Sequence, residues 1–526
     1  MMMSKPQTDK PPFYAKSWFW LGMGGILFVS LALRLWGLER FNSLVFDEVY
    51  YAKFASSFLK REDIFTGHPP LSTYIVAFGI WLGEKFPWTQ MAEKNGLAGL
   101  TLAPFSYRWL NAVTGAFIPL WVGAIAYLLT HRRSLSFIAA LLIAADGLYL
   151  VESRYALNNV YLITFGLWGQ IFFLLALSSA SAWKRWGCLA LAGIGFGASA
   201  AIKWNGLGFL LGAYGVGAIG WVLHGVAQWT QATAPSTAPS TAPPTAPPVD
   251  TTKNASLRRS PLENLTQIHL GHVIVCLAIV PALTYVLSWL PYIQLNPDAN
   301  PPWIEFWNLQ TQTLSYHERV GGLSAHPYCS YWYTWPLMLR PIAYYYQVVQ
   351  HNTQPNPITG VPLPTSAEPT IYDVHAMGNP LLWWLSSAAI VVLICFGVQR
   401  FWQWLIVLQG ATDPTVQVVP RSLRFGVRSW TVFYLLVNWG ANFFPWARVS
   451  RCIFLYHYMP SLIFAVLAIA LLIDHWLHSP QSWRNFTAFA MIGLIVTAFI
   501  FWMPLYLGLP LSPEDLQLRR WLNSWV

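Results

Sequence analysis

Charged side chains are scarce in this sequence. Asp, Glu, Lys and Arg together make up 10% of its 526 residues, whereas 55% of the residues are hydrophobic. Soluble domains carry roughly a quarter of their residues as charge. This shortage of charge, combined with repeated apolar runs of about twenty residues, excludes an ordinary soluble domain and predicts a polytopic membrane protein.

Motifs for nucleotide and metal binding are also missing. The sequence contains no P-loop and no D-x-D motif, so a nucleotide donor bound by a cytoplasmic fold is not expected. Its five cysteines are an odd number without a C-x-x-C pair, which indicates neither a disulfide framework nor a zinc site. We therefore expect no cofactor and no metal site, with a divalent cation left as an open alternative.

What the chain does have is positive charge and aromatic rings. The net charge of +10 is typical of basic cytoplasmic loops in a membrane protein, so we expect membrane lipids and not nucleic acid as partners. The sequence contains 30 Trp and 24 Tyr. Most of these rings are explained as anchors at the membrane interface, although the same rings also stack on sugars and polyprenyl chains.

Apolar runs predict about eleven membrane-spanning helices. We place them at about 17–38, 108–130, 135–151, 159–178, 187–202, 206–227, 268–292, 380–398, 430–446, 453–473 and 485–507. The run at 70–83 is short and suits a re-entrant or interfacial helix. If it does not span, the basic loops all fall on the side of the N-terminus, which the positive-inside rule places in the cytoplasm.

This assignment of the loops to the two sides of the membrane divides the chain into modules and loops. We predict an N-terminal transmembrane module over 1–227, a disordered cytoplasmic Pro/Thr/Ser/Ala linker over 228–260 and a C-terminal module over 261–526. Two large loops, at about 39–107 and 293–379, then face outward. The first run of the chain is long enough to span and has no cleavage site, so we expect it to stay.

Two adjacent carboxylates stand out in the first of these loops. Asp47 precedes a segment with helix-forming residues and an apolar face, and Glu48 falls in its first turn. One interpretation is simple capping of that helix by Asp47. The other is that a carboxylate at the membrane surface acts as a general base toward a hydroxyl group.

Basic residues at the outer ends of the predicted spans are candidates for an anion site, because charge at such depth is costly. Topology brings together Arg154, Lys203, Arg340 and Arg451. Several cations opposite a carboxylate suit a phosphate whose apolar tail stays in the bilayer. Ordinary snorkelling, or an ion pair between Arg154 and the nearby Glu152, is the alternative.

Six segments in order resemble the conserved blocks of protein O-mannosyltransferases, integral membrane glycosyltransferases of the GT-C class. The segments are FDEVYYAKF with LKRE and HPPL, DGLYLVESRY, IKWNGL, HPYCSYWYTWPLMLRPIAYYY, GNPLLWW and FLYHYMPSLIFAVLAIAL. They extend from residue 44 to about residue 473. The resemblance implies an all-α, GT-C fold and a glycosyltransferase of the bacterial inner membrane, with its active site facing outward.

The resemblance also implies roles for individual residues. Asp47 would be the base that deprotonates a Ser or Thr hydroxyl, and Glu48 would help to position the acceptor or the base. Arg154, Lys203 and Arg451 would hold the phosphate of a polyprenyl-phosphate mannose donor, whose mannose is transferred with inversion. The remaining substrate-site candidates are His68, His326, Tyr328, Arg340, Tyr456 and His457. The acceptors would be secreted or membrane proteins, delivered in one scenario by the translocon.

Two features depart from the family pattern. The second large loop has only about 85 residues, too short for the β-trefoil MIR domain of eukaryotic members, and HPPLST replaces the usual HPPLGK. Transfer of another sugar, or to a lipid or glycan acceptor, is the nearest alternative. A transporter or flippase would show repeated halves and central polar residues, and the sequence shows neither pattern.

Overall fold

The computed structural model describes residues 14–96, 101–233, 261–295, 300–350, 356–358, 360, 369–410 and 427–525. The described part is mostly helical, as predicted. Nearly all of the predicted Pro/Thr/Ser/Ala linker lies outside the described residues.

The described part of the N-terminal half contains ten α-helices. They are α1 (Tyr14–Leu35), α2 (Glu48–Leu59), α3 (Leu71–Gly83), α4 (Pro87–Met91), α5 (Pro104–Thr130), α6 (Arg133–Ala144), α7 (Gly147–Arg154), α8 (Asn159–Ser178), α9 (Ala182–Ala200) and α10 (Leu207–Thr233). The C-terminal half adds α11 (Leu270–Ile293), α12 (Pro302–Arg319), α13 (Pro380–Gly410), α14 (Val427–Phe443), α15 (Met459–Leu477), α16 (Ser482–Leu507) and α17 (Pro513–Arg519).

Long apolar helices account for most of the predicted spans. Among the described residues, eight helices are long and apolar enough to cross a membrane, and α6 with α7 forms a ninth if this pair, bent by 61°, is one span. Helices α9 and α14 occupy the two other predicted positions, but α9 is more polar and α14 has only 17 residues. The prediction of eleven spans therefore stays a prediction. The segment at 70–83 forms the 13-residue helix α3, too short to span.

Helix α15 lies at the centre of the core. It packs against α6, α13, α14 and α16, and most of its side chains are buried. Its alanines, including Ala465 and Ala468, let neighbouring helices approach closely. The segment just before α15 is thereby held against the rest of the protein, and this segment carries Arg451, Tyr456 and His457.

A small antiparallel sheet was not predicted. Strands β1 (Ile342–Val349) and β2 (Thr370–Ala376) form a hairpin, and β3 (Pro510–Leu511) pairs with the other side of β2. The β1 sequence IAYYYQVV is rich in β-branched and aromatic residues, which is typical of a strand. The sheet matters for the site because β1 carries Tyr344, whose hydroxyl group reaches the interior of the helical part.

The expectation of no disulfide is wrong. Cys329 in the second large loop is bonded to Cys452, just before α15, with 5.2 Å between their Cα atoms and 123 residues between them in sequence. The other three cysteines, Cys188, Cys276 and Cys395, are free. The odd total concealed the bridge, because three cysteines lie in or near apolar helices and the remaining two pair with each other.

Candidate active site

Asp47 lies immediately before α2 but does not cap it. Its side chain makes no capping hydrogen bond. No donor among the described residues reaches its carboxylate, so the capping interpretation is wrong. Burial raises the pKa of Asp47 to about 6, although the positive charge of Lys203 opposes this shift. A carboxylate that is not held by hydrogen bonds and whose pKa lies near neutrality is suited to accept a proton.

The backbone before Asp47 turns through an unusual conformation. Phe46 has a positive φ of 50°, which is uncommon for a bulky residue and costs free energy. Its ring stacks on Tyr344 of β1, with 4.3 Å between ring centroids and 8° between planes. The unpredicted sheet therefore stabilises the turn that presents Asp47.

Glu48 lies in surroundings that fit one of its two expected roles, positioning of the base, and not the other, positioning of the acceptor. Its carboxylate is fully buried and pairs with Arg108 through distances of 2.9 Å to Nε and 2.8 Å to Nη2. It also accepts hydrogen bonds from the backbone N–H groups of Val45 and Ala156. With its oxygens occupied and no exposure, Glu48 holds the start of α2 in place and does not face an acceptor. Sequence reasoning missed Arg108.

A cavity of about 910 Å³ lies next to Lys203. Four of the predicted site residues line it: His68, Lys203, Arg451 and His457. Asp47 does not line the cavity, but its carboxylate interacts electrostatically with Lys203, which does line it. Tyr456 also lies behind the wall, with its ring 5.2 Å from the Lys203 ammonium nitrogen.

Lys203 links the cavity to a buried polar network. Its Nζ donates a hydrogen bond of 3.1 Å to Oδ1 of Asn159, whose Nδ2 donates to Glu152 at 3.0 Å. Glu152 also accepts a hydrogen bond from the hydroxyl group of Tyr344. The expected alternative of an ion pair between Glu152 and Arg154 is therefore wrong. The network fixes the ammonium group of Lys203 at the wall of the cavity.

The cavity is amphipathic. Its charged lining contains four basic residues, Lys203, Arg319, Arg448 and Arg451, and one acidic residue, Glu318, and is therefore positive on balance. Its apolar wall contains Leu207, Leu210, Leu211, Leu314, Ala441 and Pro445, largely from α10 and from the region around the end of α14. An anionic group attached to a long apolar chain fits such a cavity, because each part of the molecule meets a wall of matching chemistry.

Two histidines contact each other at the wall of this cavity. The ring centroids of His68 and His317 are 5.0 Å apart. Burial and the positive charge of Lys203 hold the pKa of His68 well below its usual range, and burial together with Arg451 lowers the pKa of His317 to about 4. Both rings are therefore neutral near pH 7. Sequence reasoning missed His317, which lies in the last turn of α12, far along the chain from His68.

Arg154 lies outside the cavity, which corrects its assignment to the donor phosphate. Its guanidinium group donates to the carbonyl oxygens of Leu33, Arg34, Trp36 and Gly37, at distances between 2.6 and 3.1 Å. Arg154 thus caps the C-terminal end of α1, where carbonyl groups lack helical partners.

Three further candidates lie together away from the cavity wall. Arg340 donates hydrogen bonds to the carbonyl oxygens of Pro327 and Ser524 and lies 5.5 Å from the ring of Tyr328. Nδ1 of His326 accepts from the backbone N–H of Tyr328. Arg340, His326 and Tyr328 therefore shape the second large loop, and the structure does not place them with the cavity that contains Lys203.

Comparisons with known proteins identify the family of the chain. Residues 24–294 match the family model of dolichyl-phosphate-mannose-protein mannosyltransferase, and residues 302–525 match that of the C-terminal four-transmembrane region of protein-O-mannosyltransferase. A polyprenol-phosphate-mannose–protein mannosyltransferase of Mycolicibacterium smegmatis is 25% identical over 91% of this chain and 87% of its own. One of Mycobacterium tuberculosis is 23% identical over 94% and 89%.

The fold also matches a solved structure. The Saccharomyces cerevisiae protein O-mannosyltransferase complex bound to its sugar donor superposes with a TM-score of 0.70, covering 97% of this chain and 92% of that chain at 14% identity. This likeness shows the GT-C fold. Because the two family models together cover most of the sequence, the chain belongs to the protein O-mannosyltransferase family of membrane glycosyltransferases.

Proposed function

We propose that this protein transfers mannose, with inversion, from polyprenyl-phosphate mannose to Ser or Thr hydroxyl groups of exported proteins at the outer face of a bacterial inner membrane. The observation that carries the proposal is the placement of Asp47. Its carboxylate accepts no hydrogen bond from the described residues and lies within electrostatic range of Lys203. Lys203 in turn lines the amphipathic cavity.

The phosphate and the polyprenyl chain of the donor contact different residues of the cavity. Lys203 and Arg451 neutralise the phosphate, while the polyprenyl chain follows the apolar wall formed by residues such as Leu207 and Leu211. His68 and His317 are neutral at pH 7 and therefore serve as hydrogen-bonding groups toward sugar or phosphate oxygens. No metal is needed in this scheme, since two cations already oppose the phosphate charge.

The transfer step follows from these positions. Asp47 takes the proton from the acceptor hydroxyl as its oxygen attacks the anomeric carbon of mannose. The bond between that carbon and the phosphate oxygen breaks, and polyprenyl phosphate leaves with both electrons of that bond. Lys203 stabilises the negative charge that grows on the phosphate as the bond breaks, which is the largest electrostatic demand of the reaction. Arg451 binds the phosphate equally before and during the transfer, so its contribution is to donor binding. Attack from the face opposite the leaving group inverts the configuration.

The outward orientation rests on two independent arguments. The positive-inside rule places the basic loops in the cytoplasm, and hence the loops at about 39–107 and 293–379 outside. The Cys329–Cys452 disulfide lies in the same region, and disulfides persist in oxidising compartments. Acceptors then arrive as exported chains, with the translocon as their source.

Reconstitution tests this proposal. The purified protein in liposomes receives tritium-labelled, β-linked polyprenyl-phosphate mannose and a Ser/Thr-rich peptide, with a peptide in which every Ser and Thr is replaced by Ala as the matched control. We expect label only on the first peptide, released as α-linked mannose. Faster transfer from a glucose or galactose donor, or transfer to lipid in place of peptide, would contradict the proposal.

A further inference from the structure

We propose that the Cys329–Cys452 disulfide is a positioning element of the donor site, which holds Arg451 at the wall of the cavity. Breaking the bridge would weaken donor binding and leave the chemical step largely intact. This inference rests on the proposed role of Arg451 toward the donor phosphate. It adds Cys329 and Cys452, to which the proposed function gives no role.

Arg451 and Cys452 are adjacent, so the bridge acts directly on the backbone that carries the guanidinium group. This segment precedes α15 and is not itself helical. The N–H of Cys452 donates to the carbonyl oxygen of Gly321 at 2.7 Å, and the N–H of Ser330 donates to that of Ile453 at 2.9 Å. The segment therefore lies between two parts of the second large loop. The disulfide connects the segment covalently to this loop, through Cys452 and Cys329.

The position of the Arg451 side chain depends on this local backbone. Its Nη1 donates to the carbonyl oxygen of Cys452 at 3.0 Å, which ties the guanidinium group to the bridged residue. Gly321 and Gly322, which oppose the segment, line the same cavity and lack side chains that could hold it in place. Without the bridge, the two backbone hydrogen bonds and the burial of Ile453 still hold the segment after Cys452, and flexible glycines oppose the part that carries Arg451.

The rest of the catalytic arrangement is carried by other elements. Asp47 precedes α2, which Glu48 and Arg108 anchor, and Lys203 is held by Asn159 of α8. Loss of the bridge would therefore displace Arg451 and leave the base and the second cation in place. This separation predicts a change in the KM for the donor that exceeds any change in kcat.

The bridge is open to reduction from one side. Cys452 is buried, but Cys329 is partly exposed and lines a separate open cavity of about 520 Å³ with Tyr331, Arg340 and Ser524. A dithiol reagent attacks the Cys329 sulfur, and Cys452 leaves as a thiolate that takes up a proton. The second thiol of the reagent then releases Cys329, giving two protein thiols and one oxidised cyclic reagent.

The test begins by confirming the bridge. After denaturation without reductant, three cysteines should react with a maleimide-linked polyethylene glycol, and five should react after reduction. Reaction of all five without reductant would overturn the proposal. The variants are Cys329→Ser, Cys452→Ser and the double substitution, with Cys395→Ser, a free and exposed cysteine, as the matched control.

Donor kinetics give the decisive readout. We expect each bridge variant to raise the KM for polyprenyl-phosphate mannose roughly tenfold, the scale of a displaced charge-assisted hydrogen bond, with kcat within about twofold. Mild reduction of the folded wild type should have the same effect and reoxidation should reverse it, whereas the double variant should not respond. A bridge that only stabilises the fold would lower the thermal unfolding temperature and leave the KM unchanged, and that result would overturn the inference.

A double-mutant cycle with Arg451→Gln separates this inference from the proposed function. If the bridge acts through Arg451, adding the cysteine substitutions to Arg451→Gln should raise the KM no further. An unchanged KM in Arg451→Gln alone would refute the phosphate role itself. A raised KM in Arg451→Gln with an unchanged KM in the cysteine variants would refute the positioning role of the disulfide alone.

Discussion

Neutralising Glu48 should destabilise the protein far more than removing an exposed carboxylate from the same loop. Both oxygens of Glu48 contact Arg108, and neither side chain has any exposure. In Glu48→Gln the positive charge of Arg108 stays buried without its counter-ion. Breaking one side of a buried ion pair costs about 3–5 kcal/mol. The two backbone N–H groups that now donate to the carboxylate would also face a weaker acceptor.

The matched control is Glu62→Gln. Glu62 lies 4.0 Å from Lys60 in an ion pair of which both members are about half exposed. Exposed pairs of this kind contribute about 0–1 kcal/mol. The assay is the thermal unfolding of the detergent-solubilised protein, followed by the fraction that remains monodisperse after heating.

The expected order of thermal stability is wild type about equal to Glu62→Gln, with Glu48→Gln clearly lower. Replacing both partners in Glu48→Gln with Arg108→Met should recover part of the loss, because no unpaired charge then remains in the interior. Equal unfolding temperatures for Glu48→Gln and Glu62→Gln would refute the structural role of Glu48 and reopen its assignment to the acceptor.

Three further predictions concern the site and its orientation. The pH profile of kcat/KM should rise near pH 6, because Asp47 must be deprotonated to act as a base. It should fall near pH 8, because burial lowers the pKa of Lys203 to about 8 and only the charged form of Lys203 holds the phosphate. Lys203→Arg should move the alkaline limb upward, since arginine stays protonated; an unmoved limb would remove Lys203 from the profile. Lys203→Met should raise the donor KM about tenfold or more, and an unchanged KM would place the phosphate elsewhere. The cysteine of a Ser240→Cys variant should react with an impermeant maleimide only after the membrane is opened. Labelling of this cysteine in intact cells would contradict the predicted topology.

The helical part of the fold was predictable because its signal is local. A run of about twenty apolar residues has one good solution in a bilayer, so the positions of helices such as α5, α8 and α16 followed from length and hydropathy. The bend of 61° between α6 and α7 did not follow from the apolar run. The sheet escaped prediction for another reason: β2 pairs with β3 across more than 130 residues, and only the folded chain brings them together.

The site was predictable in residue type and less so in detail. Asp47, Lys203, Arg451 and His68 emerged because charge or a histidine is conspicuous beside apolar helices. The same reasoning could not separate Arg154, which caps α1, from cations that face the cavity. The sequence shows that a side chain is charged, but not which way that side chain points in the fold.

The partners of these residues were equally hidden. Arg108 contacts Glu48 across 60 residues, and His317 faces His68 across an even longer separation. The Cys329–Cys452 pair, 123 residues apart, was obscured by three unpaired cysteines. Such pairings are determined by tertiary packing, for which a single sequence carries no local signal.

The most direct test of the account is the single-turnover rate of mannose transfer by Asp47→Asn, measured with saturating labelled donor and acceptor peptide. Asparagine keeps the size of the side chain but cannot take the hydroxyl proton. Loss of a general base typically costs about 10²–10⁴-fold in rate, so we predict a fall of at least a hundredfold. Donor affinity should stay within about threefold, because Lys203 and Arg451 remain in place. Transfer at close to the wild-type rate would contradict the assignment of Asp47 as the base.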